Sequence, residues 1–236
     1  MDIDDILKEF EESSKDEKIS SKTSSLNLYQ DLLRAMINER MAPELLPYKQ
    51  DLMSTVLTMM SNQQQYLLES HEYGDMNGDS GVLSGDFKLQ LMIIETDLER
   101  LNYIVRLYIR TRLSKLNKFT IFYINESSQN DNLLSKEERD YIHKYFQILT
   151  QLYNNCFLKK LPQMLTYLDD TSGGQSMIVE PDLDQPVFIK CTSEVPILLD
   201  YDGATEIDLE LIKKGVYVVK YSLVKRYIDI GDVVLI

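Results

Sequence analysis

The stretch ETDLERLNYIVRLYIRTRLSKLNKF, Glu95 to Phe119, decides the fold class. Together with Leu91 and Ile94 just before it, its Leu98, Leu101, Val105 and Tyr108 recur every three or four residues, the period of an α-helix that buries one side. The pattern runs for about thirty residues from Phe87. The acids Glu95, Asp97 and Glu99 precede the bases Arg100, Arg106, Arg110, Arg112 and Lys115, an order that suits the helix dipole. Between Glu95 and Lys118 stand three acids and six bases, a local charge of +3.

Working outward, LNLYQDLLRAMINER places Leu28, Leu32 and Met36, and beside them Tyr29, Leu33 and Ile37, at helical spacing. Pro43 and Pro47 interrupt that helix, since proline lacks the amide donor a helix needs. A second helix with Leu52, Val56, Met59, Met60 and Leu67 on its buried side is expected to end around His71. The loop YGDMNGDSGVLSGD follows, holding four of the nine glycines. Beyond the arginine-rich helix and the polar stretch NESSQNDN, Ser135 and Glu138 form a capping-box pattern. They open a fourth helix expected to bury Tyr145, Leu149, Leu152, Cys156 and Phe157 on its way to Pro162.

At TSGGQS the period changes to short β-branched runs, VFIKC, PILLDYD, TEIDLEL, GVYVVKY and DVVLI, with SLVKRYID read as a short helix before the last strand. The terminal VVLI, without polar alternation, is expected to be buried on both faces. The fold class is therefore α+β: a flexible tail over residues 1–25, a helical domain over 26–170, a linker over 171–176 and a small β-rich domain over 177–236.

The 236 residues carry a formal net charge of −13, which disfavours a dedicated binder of nucleic acid or anionic membrane. The two ends differ, because Asp169 to Ile236 holds thirteen acids and six bases. Two cysteines, Cys156 and Cys191, exclude a disulfide scaffold and suit a reducing compartment. No run of transmembrane length is present.

Several motifs imitate chemistry. Asp75, Asn77 and Asp79 with Asp86 at the twelfth place resemble a calcium loop, but Ser80 stands where the sharp turn wants glycine. The GDSG at Gly78 to Gly81 evokes a serine nucleophile, yet sits between helices in a chain with only His71 and His143. Those histidines have no HExxH spacing and the cysteines no CxxC, so no zinc site and no cofactor is expected. The cations Arg100, Arg106, Arg110, Arg112 and Lys115 read as subunit-interface candidates, ion-paired with acids of neighbouring helices or of a partner subunit, or alternatively as a nucleic-acid contact without a recognised reading motif.

The helix of Glu95 to Phe119, preceded by NERMAPELLPY (Asn38 to Tyr48) and followed by LLSKEE (Leu133 to Glu138), resembles the SLD-five subunits of the eukaryotic GINS complex. The likeness continues through EPDLDQPVF, GVYVVKY and the terminal VVLI, whereas the loop at Tyr73 to Asp86 and the segment between Cys191 and Lys214 carry no family pattern. It implies a helical A domain and a β-rich B domain, three sister GINS subunits, and membership with the Cdc-forty-five protein and the MCM hexamer in the nuclear replicative CMG helicase. It implies no active site of the chain's own, and DNA contact that is at most indirect or weak.

The same resemblance extends to the tail. MDIDDILKEF is similar to the short peptide by which such subunits dock on the trimeric Ctf-four/AND-one hub. Ile3, Ile6, Leu7 and Phe10 would present one apolar stripe, with Asp2, Asp4 and Asp5 favouring the helix N-terminus. Residues 11–25, polar apart from Ile19, would be the tether.

Overall fold

The computed structural model describes residues 27–76, 85–127, 132–162, 178–199 and 209–236. Among the described residues six α-helices come in the order α1 (27–41), α2 (Gln50–Met76), α3 (Gly85–Lys118), α4 (Thr120–Ser127), α5 (Lys136–Cys156) and α6 (Tyr221–Ile230). The strands are β1 (Pro186–Cys191), β2 (Ile197–Leu199), β3 (Leu209–Leu211), β4 (Val216–Lys220) and β5 (Val233–Leu235). A helical bundle thus precedes a small strand-rich region, the α+β arrangement the sequence implies. The tail with Ile3, Asp4, Asp5, Ile6, Leu7 and Phe10, the linker 171–176 and most of the calcium-like loop lie outside the described residues.

The chain groups into two compact units that cut across this order: Met1–Ala35 with Gln50–Val105, and Met36–Lys49 with Arg106–Ile236. In the first, α2 continues to Met76, beyond the expected His71. In the second, the prolines act as expected, ending α1 and leaving 42–49 as an irregular turn whose first residue closes the helix through Ala42 N–H to Asn38 O.

Sequence periodicity missed α4. The chain breaks helix at Phe119 and resumes at Thr120. The break aims Phe119 and Tyr123 into one core with Leu45, Leu116, Leu134 and Ile142. In α5 the capping box is present as read: Glu138 N–H donates to Ser135 Oγ (3.1 Å), and Ser135 N–H to Glu138 Oε2 (3.0 Å). The expected burial fails at the other end of this helix, where Cys156 is exposed and Leu152 stands 52% exposed. Nothing in the described chain covers that face.

Strands β4, β1 and β5 form an antiparallel sheet in that order, and β2 pairs with β3 separately. Along β1, Val187, Ile189 and Cys191 point inward and Pro186, Phe188 and Lys190 outward. The inner face packs on Tyr221, Val224 and Ile228 of α6, and Ala42 and Leu46 of the irregular turn join this core. The terminal run is a strand as expected, but its burial on both faces is corrected: among the described residues β5 pairs only with β1, and Val233 and Leu235 are buried while Val234 between them is half-buried. Apolar residues at successive positions did not mean two covered faces, because α6 covers only one.

Gly231 ends α6 in the left-handed region (φ 95°), its N–H bonded to Tyr227 O. A Cβ there would meet nothing within 4 Å, so Gly231→Ala carries a purely conformational cost. It is expected to destabilise the strand-rich region by about 1 kcal/mol, read as a lowered denaturant midpoint at unchanged slope.

Candidate functional site: a pinned turn and the faces it leaves open

Arg112 lies on α3 with none of its surface exposed. Its five N–H donors meet five acceptors, the full capacity of a guanidinium. Nε and Nη2 grip Glu138 as a fork (2.7 and 2.9 Å), and Nη2 also reaches Leu133 O (3.0 Å). Nη1 serves Glu39 Oε2 (2.9 Å) and Leu46 O (2.6 Å). The rings of Tyr48 and Tyr108 sit 5.2 and 5.6 Å from the guanidinium carbon, adding cation–π contact.

Three residues on, the same helix face carries Lys115. Its ammonium donates to Glu39 Oε1 (2.7 Å), Glu44 O (2.7 Å) and Glu39 O, using all three donors. Arg112, Lys115, Glu39 and Glu138 therefore form a quartet of two positive and two negative charges. Burial by itself would lower the Arg112 pKa, but the Glu138 hydrogen bond and the Glu39 and Glu138 charges outweigh it and hold the pKa up. For Lys115 burial prevails over Glu39 and the pKa is lowered.

This quartet holds the turn Asn38–Tyr48 from the helical side, and the strand-rich region holds it from the other. Glu44 accepts from Tyr221 Oη (2.8 Å) and Lys225 Nζ on α6, and Asn38 Oδ1 accepts from Leu235 N–H (3.0 Å) on β5. Leu45 N–H donates to Tyr123 Oη (2.8 Å). The turn is thus a spacer whose polar groups are consumed by α3, α4, α6 and β5. Sequence reasoning marked the turn and the Glu138 cap. It did not find Glu39, an unremarkable acid in a helix end, nor the second duty of Glu138.

The five expected interface cations divide. Arg112, expected on a partner-facing surface, is instead sealed inside, because buried carboxylates claim it, and Lys115 turns the same way. Arg106 and Arg110 are exposed, with no ion-pair partner among the described residues, while Arg100 pairs with Asp97 of its own helix at 3.2 Å. Among the described residues no three His, Cys, Asp or Glu converge as metal ligands, and no helix is long and apolar enough to cross a membrane.

Two apolar features remain open. In the first unit a cleft of about 580 Å³ is lined by residues of α1, α2 and α3 that include Leu28, Leu32, Val56, Met60, Ile94 and Leu98. On the helices themselves Met92 (64%), Tyr103 (67%) and Ile148 (64%) face solvent. Large side chains exposed in series are the pattern of a surface that associates.

Comparison with known proteins gives a consistent result. The family model described as the GINS complex protein helical bundle domain matches residues 27–157, and that of the DNA replication complex GINS protein SLD5 C-terminus matches 181–236. A DNA replication complex GINS protein SLD5 from Debaryomyces hansenii is 63% identical, with all of this chain and 98% of that protein aligned. The SLD5 proteins of Saccharomyces cerevisiae (33%; 88% and 80% covered) and Schizosaccharomyces pombe (32%; 92% and 96%) are also similar.

Two outcomes test the site. Arg112→Met leaves two buried carboxylates facing each other and should cost about 3–5 kcal/mol of stability in equilibrium unfolding. Arg112→Lys, with three donors for five acceptors, should recover only part of that loss. The tyrosines set the alkaline limit. Burial raises the pKa of Tyr48, Tyr123 and Tyr221 and pushes that of Tyr108 up to about 12. The folded chain keeps these protons longer than the unfolded one, so this contribution is complete below pH about 10 and is lost as pH rises through the folded values. Unfolding free energy should fall steeply above pH about 10, with the tyrosinate absorbance that belongs to these four buried rings appearing together with loss of helix.

Proposed function

Because the chain belongs to the SLD5 family of GINS complex proteins of DNA replication, we propose that it is a non-catalytic assembly subunit that works by presenting interfaces. Three sister GINS subunits cover its open helix faces. The resulting tetramer joins the MCM hexamer and the Cdc-forty-five protein in the nuclear CMG helicase, and residues 1–10 tether it to the trimeric Ctf-four/AND-one hub. The observation that carries this reading is the pairing of a locked interior with uncovered helices: the buried quartet fixes the scaffold, and Met92, Tyr103 and Ile148 stand unburied on it.

Arg106 and Arg110 are the cations free to serve a partner. Arg106→Glu with Arg110→Glu should leave the stability of the chain within about 0.5 kcal/mol, as exposed unpaired positions do. It should also reduce recovery of the three co-expressed sister subunits in high salt. Normal recovery with loss of salt-sensitive DNA binding would instead favour a nucleic-acid module.

The tail is tested separately. Ile6→Ala with Leu7→Ala should weaken hub binding about one hundredfold or more, since each buried aliphatic anchor is worth about 1.5–3 kcal/mol. The sister-subunit contacts should remain. A peptide of residues 1–18 that fails to bind purified hub in calorimetry would sink the tether.

A further inference from the structure

The cleft between α1, α2 and α3 has no occupant among the described residues, yet the described chain begins at its edge. Every residue lining it belongs to the first compact unit. Leu32, Val56 and Met60 are buried at its floor, whereas Tyr29 (40%) and Met59 (49%) stand exposed on its walls. A volume of about 580 Å³ is enough to take several side chains, and a methionine wall can adapt to their shape. At the rim Arg100 pairs with Asp97 at 3.2 Å, one charge of each sign, so charge does not select what enters.

Chain connectivity does. Helix α1 starts at residue 27, and the next two residues, Leu28 and Tyr29, already line the cleft. Residues 1–26 are therefore covalently joined to the fold at that edge. Their apolar residues at helical spacing are Ile3, Ile6, Leu7 and Phe10. Residues 11–26, at about 3.3 Å each, reach roughly 50 Å, more than the length of α2 at about 40 Å. Attachment through so short a linker gives the stripe an effective concentration at the cleft in about the millimolar range. A second copy of the chain has no such advantage.

We infer that the segment Ile3–Phe10 seats its apolar side chains in this cleft when no partner holds it, an intramolecular contact of the tail with α1, α2 and α3. The contact adds a regulation to the tether, and that step rests on the tether proposed above. Hub and cleft compete for the same four side chains, so the apparent hub affinity of the whole chain is lowered according to the fraction of tails that are docked.

The experiment uses the full chain, with co-expressed sister subunits if it needs them for solubility, labelled with carbon-13 at the methionine methyls. It is compared with Ile6→Ala combined with Leu7→Ala, which alters no residue of the cleft. Expected are shifted methyl signals for Met59 and Met60 and an unmoved signal for Met92, which lies on α3 outside the cleft. A peptide of residues 1–18 added to the variant should return both signals towards their original positions. Tyr29→Asp with Met59→Glu changes only exposed walls, so the thermal midpoint should hold while hub affinity of the full chain rises about tenfold, towards that of the peptide alone. Unchanged Met59 and Met60 signals in the tail variant, or a difference that disappears on dilution as docking between two copies would, overturns the inference. Should the peptide fail to bind hub, the tether is lost, but the methyl comparison still decides the cleft.

Discussion

The guanidinium of Arg112 cannot lose its charge, so whatever surrounds it has to supply acceptors in its plane. Five acceptors from two segments far apart in sequence do so: Glu39 and Leu46 O from the turn, and Leu133 O from the approach to α5 with Glu138 from its first turn. Buried ion pairs contribute little net stability against an apolar alternative, but they punish every wrong arrangement with an unpaired charge. The quartet is best understood as a device for register. It admits one placement of α3, the turn and α5, and with Lys115 and Glu44 it fixes where the strand-rich region sits on that turn.

How much of this was legible in the sequence depended on whether the signal was local. Periodicity found α1, α2, α3 and α5, short β-branched runs marked the strands, and Ser135 with Glu138 announced the cap, because each of these rests on neighbours within a few positions. Phe119 breaking the helix was not legible, since nothing in KFTIFYI distinguishes a continuing helix from one that bends to deliver Tyr123. The buried status of Arg112 was equally hidden. Seven bases in one helix look alike until Glu39, 73 residues before Arg112, selects two of them. The misjudged faces of α5 and β5 share a cause: apolar sequence records that a residue avoids water, but not whether its cover comes from the same chain.

That distinction is what a subunit needs. A soluble monomer minimises its exposed apolar surface, and stability and solubility then point the same way. Here they are separated, with the ionic and aromatic groups around Arg112 holding the shape and the apolar faces of α2, α3 and α5 left available. The exposed cations Arg106 and Arg110 stand on the same helix as the sealed ones, so a single segment both fixes the scaffold and presents it.

The turn Asn38–Tyr48 also sets a schedule. Its partners Tyr221, Lys225 and Leu235 lie 177, 181 and 197 residues further along the chain. During synthesis at about 5–20 residues per second, Glu44 and Asn38 wait roughly 10–40 seconds after emerging before those groups exist. Throughout that interval Ala42 and Leu46, which end in the strand-rich core, have no cover from it. The nascent subunit therefore passes through a long-lived state with an adhesive loop near its beginning, one in which a chaperone or a sister subunit arriving early would meet a different surface from the one the finished protein displays.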